Sequence, residues 1–337
     1  MIQQDAARNR LIRDSLLMVI ASMLLYRLMF TNILYTIPLL LLAPRFEDRR
    51  MALLPVAAVF LLVVGGELFT ARNVLGQSTT PLILVIGLFI PVVLLVAAAV
   101  WIWLRDSRSL VRYLASCVFA VVAGIGLAVW LHSGSDTVMR VGEIYSSTFK
   151  ALFSTFMPTT TPALIATEEV VQATAETTIL GVNADVLFAL CLQVVYHSFV
   201  PMCMAVIGVS ALISECMLHR QDEAWQQRVA NWRLPENAIW VFLGAWTLVL
   251  LNMVLPFPGA VSALAMNLAM SVSLLYMVQG ISILIFLIRR RNPLFSVTRA
   301  MVFVFLCMML PGLNALVVLV LPLIGALETW ITFRKND

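Results

Sequence analysis

Residues 238–288 read AIWVFLGAWTLVLLNMVLPFPGAVSALAMNLAMSVSLLYMVQGISILIFLI, an unbroken run without one charged side chain. A hydrocarbon core of ~30 Å takes about 20 helical residues, so this run is long enough to span a bilayer twice. The reversal falls at Pro256-Phe257-Pro258-Gly259, a tight non-helical turn. Pro81 to Leu104 is likewise uncharged and long enough to span once. These runs explain a composition that is 61% hydrophobic and only 12% charged over 337 residues, against about 25% charged in a soluble domain. The expected fold is all-α: a polytopic transmembrane helical bundle forming a single domain over 1–337.

Further apolar segments fall at about 12–28, 32–44, 51–69, 110–131, 186–218, 299–310 and 313–331, for eight to ten membrane segments in all. The start carries Arg8, Arg10 and Arg13 and then an apolar stretch without a small-residue cleavage site, which reads as a retained helix. Both ends are ambiguous. Residues 12–44 are either one helix or a pair broken at Arg27, Thr31 and Asn32, and 299–331 poses the same choice around Pro311, Gly312 and Asn314. Charge separates the alternatives. With hairpins at both ends, 18 of the 22 basic residues share one side, leaving Arg27, Arg72, Arg140 and Lys150 on the other. Single spans would move the terminal charges across and weaken the bias. The positive-inside tendency therefore favours hairpins, with both termini, 45–50, 105–112, 219–237 and 289–299 cytoplasmic.

That clustering also decides what the net charge of +4 means. Short arginine groups between apolar spans mark membrane orientation, not a phosphate-binding groove, so the expected partner is the lipid bilayer and not nucleic acid. Residues 132–185 form the one long loop, expected outside. Val138, Val141, Ile144, Phe149, Leu152 and Phe153 give 137–153 an amphipathic pattern, which Pro158 and Pro162 terminate. The segment reads either as an interfacial helix with a solvated linker or as a lid over an outward cavity.

Motifs for catalysis are missing. There is no GxxxxGK[ST] and no HExxH, and His132, His197 and His219 lie far apart in sequence. Glu168-Glu169 lacks a following basic residue, and His132-Ser133-Gly134-Ser135-Asp136 places triad letters too close together to reach triad geometry. Cys117, Cys191, Cys203, Cys216 and Cys307 fall within apolar spans without CxxC spacing, as packing residues do. No enzyme, cofactor or metal site is expected.

Polar residues inside the spans say more, because each is costly in lipid. Gln193 and His197 share a face of 186–218, one turn before Pro201. Tyr276 and Gln279, followed by Gly280, form a second polar face, with Asn267 and Ser271 toward the outer end. Gln193, His197, Tyr276, Gln279 and Asn267 are the candidate ligand-binding residues, the first four on a common midplane pocket. Asn252 and Glu67, which follows Gly65-Gly66, are further candidates to line an outward-opening cavity. Helix–helix hydrogen bonding explains the same letters. Ser116, Ala120, Gly124 and Ala128 repeat every four residues, as do Ala265, Ala269 and Ser273; such small residues let backbones approach. In 219–237, Arg220, Trp225, Arg228 and Trp232 form a candidate docking surface for a protein partner, with a Trp-anchored interfacial helix as the alternative.

Trp232-Arg233-Leu234-Pro235-Glu236 with Trp240, then Leu275-Tyr276 with Gln279-Gly280, then Gly325, Glu328 and Trp330 before Arg334-Lys335, form a set. Over about 186–335 the chain resembles the YybS-like family of uncharacterised bacterial membrane proteins, itself distantly similar to the substrate-binding S components of energy-coupling-factor transporters. The resemblance implies a multi-pass protein of a bacterial cytoplasmic (inner) membrane. It also implies binding, and assisted translocation, of a small-molecule ligand with energy from partner proteins. The first helix, Ser15 to Phe30, departs from the alanine-xxx-alanine docking pattern usual in S components, having only Ala21 and Ser22 as small interior residues. The competing class is a membrane scaffold that recruits partners through its cytoplasmic loops.

Overall fold

A computed structural model describes residues 2–28, 32–74, 80–132, 142–143, 145–147, 149–150, 178–179, 182–255, 257–292, 295–331 and 333–334. In chain order the helices are α1 (Ile2–Arg27), α2 (Ile37–Leu42), α3 (Arg49–Val74), α4 (Thr80–Trp103), α5 (Ser109–His132), α6 (Ala184–Leu218), α7 (Glu223–Ala230), α8 (Ala238–Val254), α9 (Gly259–Arg291), α10 (Val297–Met309) and α11 (Leu313–Leu327). A two-residue antiparallel pair, Thr178–Ile179 with Val182–Asn183, precedes α6. Among the described residues, Arg49–Phe69, Ser109–Leu127, Val186–Leu218 and Gly259–Arg291 are long and apolar enough to cross a membrane; Gly87–Trp103, Ala238–Val254, Val297–Met309 and Leu313–Leu327 are shorter apolar helices. Leu61, Phe69, Met253, Val254, Phe303 and Leu319 stand exposed on the outer faces. Soluble proteins rarely expose contiguous apolar patches beyond a few hundred Å². The surface is built for lipid, and the chain is a multi-pass helical membrane protein.

Both ends double back. Asp14 meets Arg45 at 3.1 Å, and the Tyr26 and Tyr35 rings pack edge to face at 5.4 Å. These residue numbers sum to nearly the same value, as they must where a chain reverses and runs antiparallel to itself. At the far end, Gly312 turns α10 into α11 with φ 87°, a backbone conformation open to glycine and strained for other residues. At 1.5 Å per residue, α10 is about 20 Å long and α11 about 22 Å, short of the ~30 Å hydrocarbon. The hairpin alternative is the one adopted.

One apolar core joins α1 through α6, with Met18, Leu39, Val59, Val93, Ala120 and Phe199 buried in it. A second gathers Ala230, Ile285, Val304 and Leu321 from α7, α9, α10 and α11. The small-residue repeats seat helices against each other as expected. Ser116 and Ala120 are fully buried, and a side chain at Gly124 would meet Val200 and Phe199 of α6. The expected residues 137–153 are described only in part. Residues 142–143, 145–147 and 149–150 are helical, and Phe149 packs on Phe188 at 5.7 Å. The lid reading of 132–185 otherwise lies outside the described residues.

Hairpins at both ends bring most of the described arginines to one end of the bundle, where several act as cross-links. Arg49 bonds Asp106, Arg105 donates to the Phe46 carbonyl at 2.8 Å, and Arg289 bonds Gln226. Arg112 meets Glu215 at 3.2 Å with its guanidinium over the Trp101 ring. Each bond ties one connection to the next.

Candidate functional site

At this arginine-rich end a buried carboxylate organises three segments distant in sequence. Glu328 follows α11 directly, and its side chain is 2% exposed. Arg233 donates to Glu328 Oε1 at 3.1 Å; Arg334 lies 3.0 Å from Oε1 through Nε and donates to Oε2 at 3.2 Å through Nη2. Gln279 of α9 donates through Nε2 to Glu328 Oε2 and to the Gly325 carbonyl, each at 3.0 Å, while its Oε1 accepts the Leu234 N–H at 3.0 Å. Burial lowers the Arg334 pKa from the ordinary arginine value, Glu328 opposes this, and Arg233 adds to the lowering. The helices that present these groups are in backbone contact. A side chain at Gly280 would strike the Leu321 carbonyl, and one at Gly325 the Tyr276 carbonyl.

The same network anchors 219–237. Asp222 caps α7 by accepting the Trp225 N–H at 3.1 Å. The Ser282 hydroxyl of α9 faces the carbonyls of Val229, Ala230 and Trp232, at 2.5 Å from the first. Arg220 and Arg228 are exposed, as a docking surface requires. Trp225 and Trp232 are not presented in that way. Trp225 is half-buried, stacks on His219 at 5.7 Å and packs on the second core, while Trp232 is half-buried and held at its carbonyl. These tryptophans seat the segment on the bundle.

The proposed common pocket does not form among the described residues. Tyr276 and Gln279 come together at the arginine-rich end, Tyr276 fully buried against Phe242 at 5.1 Å. Gln193 and His197 lie on α6 with Gln193 exposed, and His197 turns Nδ1 to the Gln193 carbonyl at 2.8 Å, satisfying itself within its own helix. Spacing places each pair on one face of its helix but leaves open what that face meets.

Asn267 proves to be a helix clip. Its Oδ1 accepts the Val200 N–H at 2.9 Å, and its Nδ2 donates to Tyr196 O at 2.9 Å and Ala263 O at 2.8 Å. Val200 N–H and Tyr196 C=O are the groups an uninterrupted α-helix pairs with each other. They lie beside Pro201, which crowds the preceding turn and loosens the ladder. Beside Asn267, between α5, α6 and α9, lies a cavity of about 20 Å³ lined by Gly124, Tyr196, Phe199 and Val200 among others. That is room for about one water, where drug-sized ligands occupy about 300 Å³ or more. Replacing Asn267 by leucine strands the Val200 and Tyr196 groups and is expected to cost about 2–3 kcal/mol, read as a lower unfolding temperature in detergent. An unchanged temperature would show that α6 closes its own ladder without the clip.

Asn252 also serves structure. It donates to Ser262 Oγ at 3.0 Å and accepts the Phe257 N–H at 3.0 Å, clamping the α8–α9 turn. Glu67 lies toward the opposite end of the bundle from the arginine cross-links. Tyr26 donates to its Oε1 at 2.9 Å, and Tyr35 donates to the Pro91 carbonyl at 2.6 Å. The Arg27 guanidinium lies against Gly66, 2.9 Å from where a Cβ would stand, so Gly66 makes room for it. Sequence reasoning picked out Glu67 but missed Tyr26, whose position across from α3 depends on the first hairpin. All five cysteines are free, with Cys117, Cys203 and Cys216 buried. No protein-family model matches the chain, and neither does any curated protein or any solved structure.

Proposed function

We propose that this chain is a non-enzymatic docking protein of a bacterial cytoplasmic membrane. Its arginine-rich end and both termini face the cytoplasm, where 219–237 offers a platform to an acidic protein partner. The observation that carries this reading is the fixing of 219–237 onto α9 by Ser282, Gln279 and Arg289. A loop already ordered loses little conformational freedom on association, so more of the contact energy appears as affinity. Charge agrees. The end that holds 18 of the 22 basic residues holds 11 of the 18 acidic ones, a net positive face that steers acidic partners. Arg233, Leu234, Gln279, Gly325, Glu328 and Arg334, among the residues behind the YybS-like resemblance, are joined in one hydrogen-bonded network that holds this segment in place.

Photo-crosslinkers at Ala224 and Gln227, on the exposed face of α7, are expected to capture one cytoplasmic protein. A crosslinker at Trp225 is expected to label the chain itself. Charge reversal by Arg220→Glu with Arg228→Glu should abolish the capture. Crosslinks to lipid alone from Ala224 and Gln227 would remove the docking reading.

A second reading, binding and assisted translocation of a small molecule, is favoured by one observation: the part-buried Tyr26–Glu67 pair lies between α1 and α3 beside a half-length hairpin. Intramembrane acids and interrupted helices are typical of substrate pathways. On this reading Glu67→Gln abolishes retention of a co-purified small molecule, while the Arg220→Glu, Arg228→Glu double variant retains it.

A further inference from the structure

Two guanidiniums share one carboxylate at Glu328, so the cluster carries an excess positive charge. The Arg334 side chain is 4% exposed, and its Nη1 is buried without a hydrogen-bond acceptor among the described residues. An unmatched cation in such surroundings is costly, and an anion that approaches it is held strongly. Access is through Arg233. Its side chain is 48% exposed, and among the described residues its one bond runs from Nη2 to Glu328, so the rest of the guanidinium fork can engage a second acceptor. Trp240 and Trp330 are 72% and 63% exposed; Trp240 lies in the first turn of α8, seven residues after Arg233, and Trp330 follows Glu328 by two residues. Tryptophan is enriched at headgroup depth in membrane proteins, the depth at which this cluster would meet lipid phosphates.

We propose that Arg233 and Arg334, held by Glu328, bind a phosphate-bearing anion, and that its source is the headgroup of an anionic phospholipid. The guanidinium fork matches phosphate oxygens in pairs, which an ammonium cannot do. Bound phosphate supplies the acceptor that Arg334 Nη1 lacks among the described residues. The site is separate from the exposed face of α7 and stands whether or not that face docks a protein.

The test uses the full chain reconstituted in vesicles of equal palmitoyl-oleoyl phosphatidylglycerol and phosphatidylcholine, followed by native mass spectrometry of retained lipid. The wild type should retain phosphatidylglycerol in about tenfold preference, and Arg233→Gln should lower that about tenfold, as loss of one charge-assisted pair predicts. Arg108→Gln removes an exposed arginine from the α4–α5 connection at the same end and should leave retention unchanged. Should Arg233→Gln not fold, Arg233→Lys keeps the charge without the fork and should lower retention about threefold. Equal losses from Arg108→Gln and Arg233→Gln would overturn the site in favour of diffuse surface charge. So would retention of the two lipids in equal amounts. Inorganic phosphate at millimolar concentration should neither raise the unfolding temperature nor displace phosphatidylglycerol; if it does both, the lipid source is wrong.

Discussion

Gly325→Ala is expected to pry α11 from α9 and to cost about 3 kcal/mol, the upper end of what overpacking usually does. A Cβ at Gly325 would stand 2.1 Å from the Tyr276 carbonyl oxygen and 3.1 Å from the Gly280 nitrogen, and one at Gly280 would stand 2.1 Å from the Leu321 carbonyl oxygen. These obstacles are backbone atoms within helices, which cannot swing aside as a side-chain tip can. Relief requires the two helices to separate by about 1 Å, roughly the gap between 2.1 Å and van der Waals contact. Separation also lengthens the Gln279–Gly325 bond of 3.0 Å, so packing and hydrogen bonding fail together. Gly280→Ala should behave alike, and combining the two should add little once the helices have parted. Gly244→Ala is the control, because a Cβ there meets nothing within 4 Å. Unfolding temperatures from size-exclusion chromatography of heated samples decide the matter. If Gly325→Ala matches Gly244→Ala, the helices are not in backbone contact.

This crossing shows where sequence is informative and where it stops. Spans were legible because hydropathy over about 20 residues is set by the thickness of lipid. Both hairpins were legible because moving a segment across the membrane moves its arginines too, and the charge count registers the difference. Gly280 and Gly325 were visible only as letters, since a close approach involves two helices and a pattern along one helix carries no information about the other. Asn267 illustrates the same limit. A polar side chain within a span must find a partner, and its letters do not say whether that partner is a ligand or, as here, the loosened backbone of Tyr196 and Val200. Trp225 shows a related limit. Tryptophan favours interfaces of every kind, and only the fold shows that this ring faces His219 and the bundle.

Glu328 bears the other large effect. Replacing it by alanine leaves Arg334 buried at 4% exposure with its counter-ion gone, whereas Arg233, at 48%, can turn to water. Breaking a buried ion pair from one side costs about 3–5 kcal/mol, most of it the stranded charge. Gln279 keeps its bond to Gly325 but loses the one to Oε2, and Arg233, next to Leu234, is released from α11. The segment 232–236 should therefore loosen first, detected as faster proteolysis there than at 45–50. Glu328→Gln preserves the shape and one acceptor oxygen, so it should cost less than alanine while remaining clearly destabilising. The double variant Glu328→Leu with Arg334→Leu removes both buried charges and should recover most of the loss, because a buried pair exchanged for apolar side chains of similar volume is often neutral. A double variant as unstable as Glu328→Ala would mean that the carboxylate acts chiefly through Gln279 and Arg233, with Arg334 a bystander. A Glu328→Ala chain that unfolds at the wild-type temperature would mean that the network around Glu328 does not hold the arginine-rich end together, and that the fixing of 219–237 rests on Ser282, Arg289, the Leu234–Gln279 bond and Trp225.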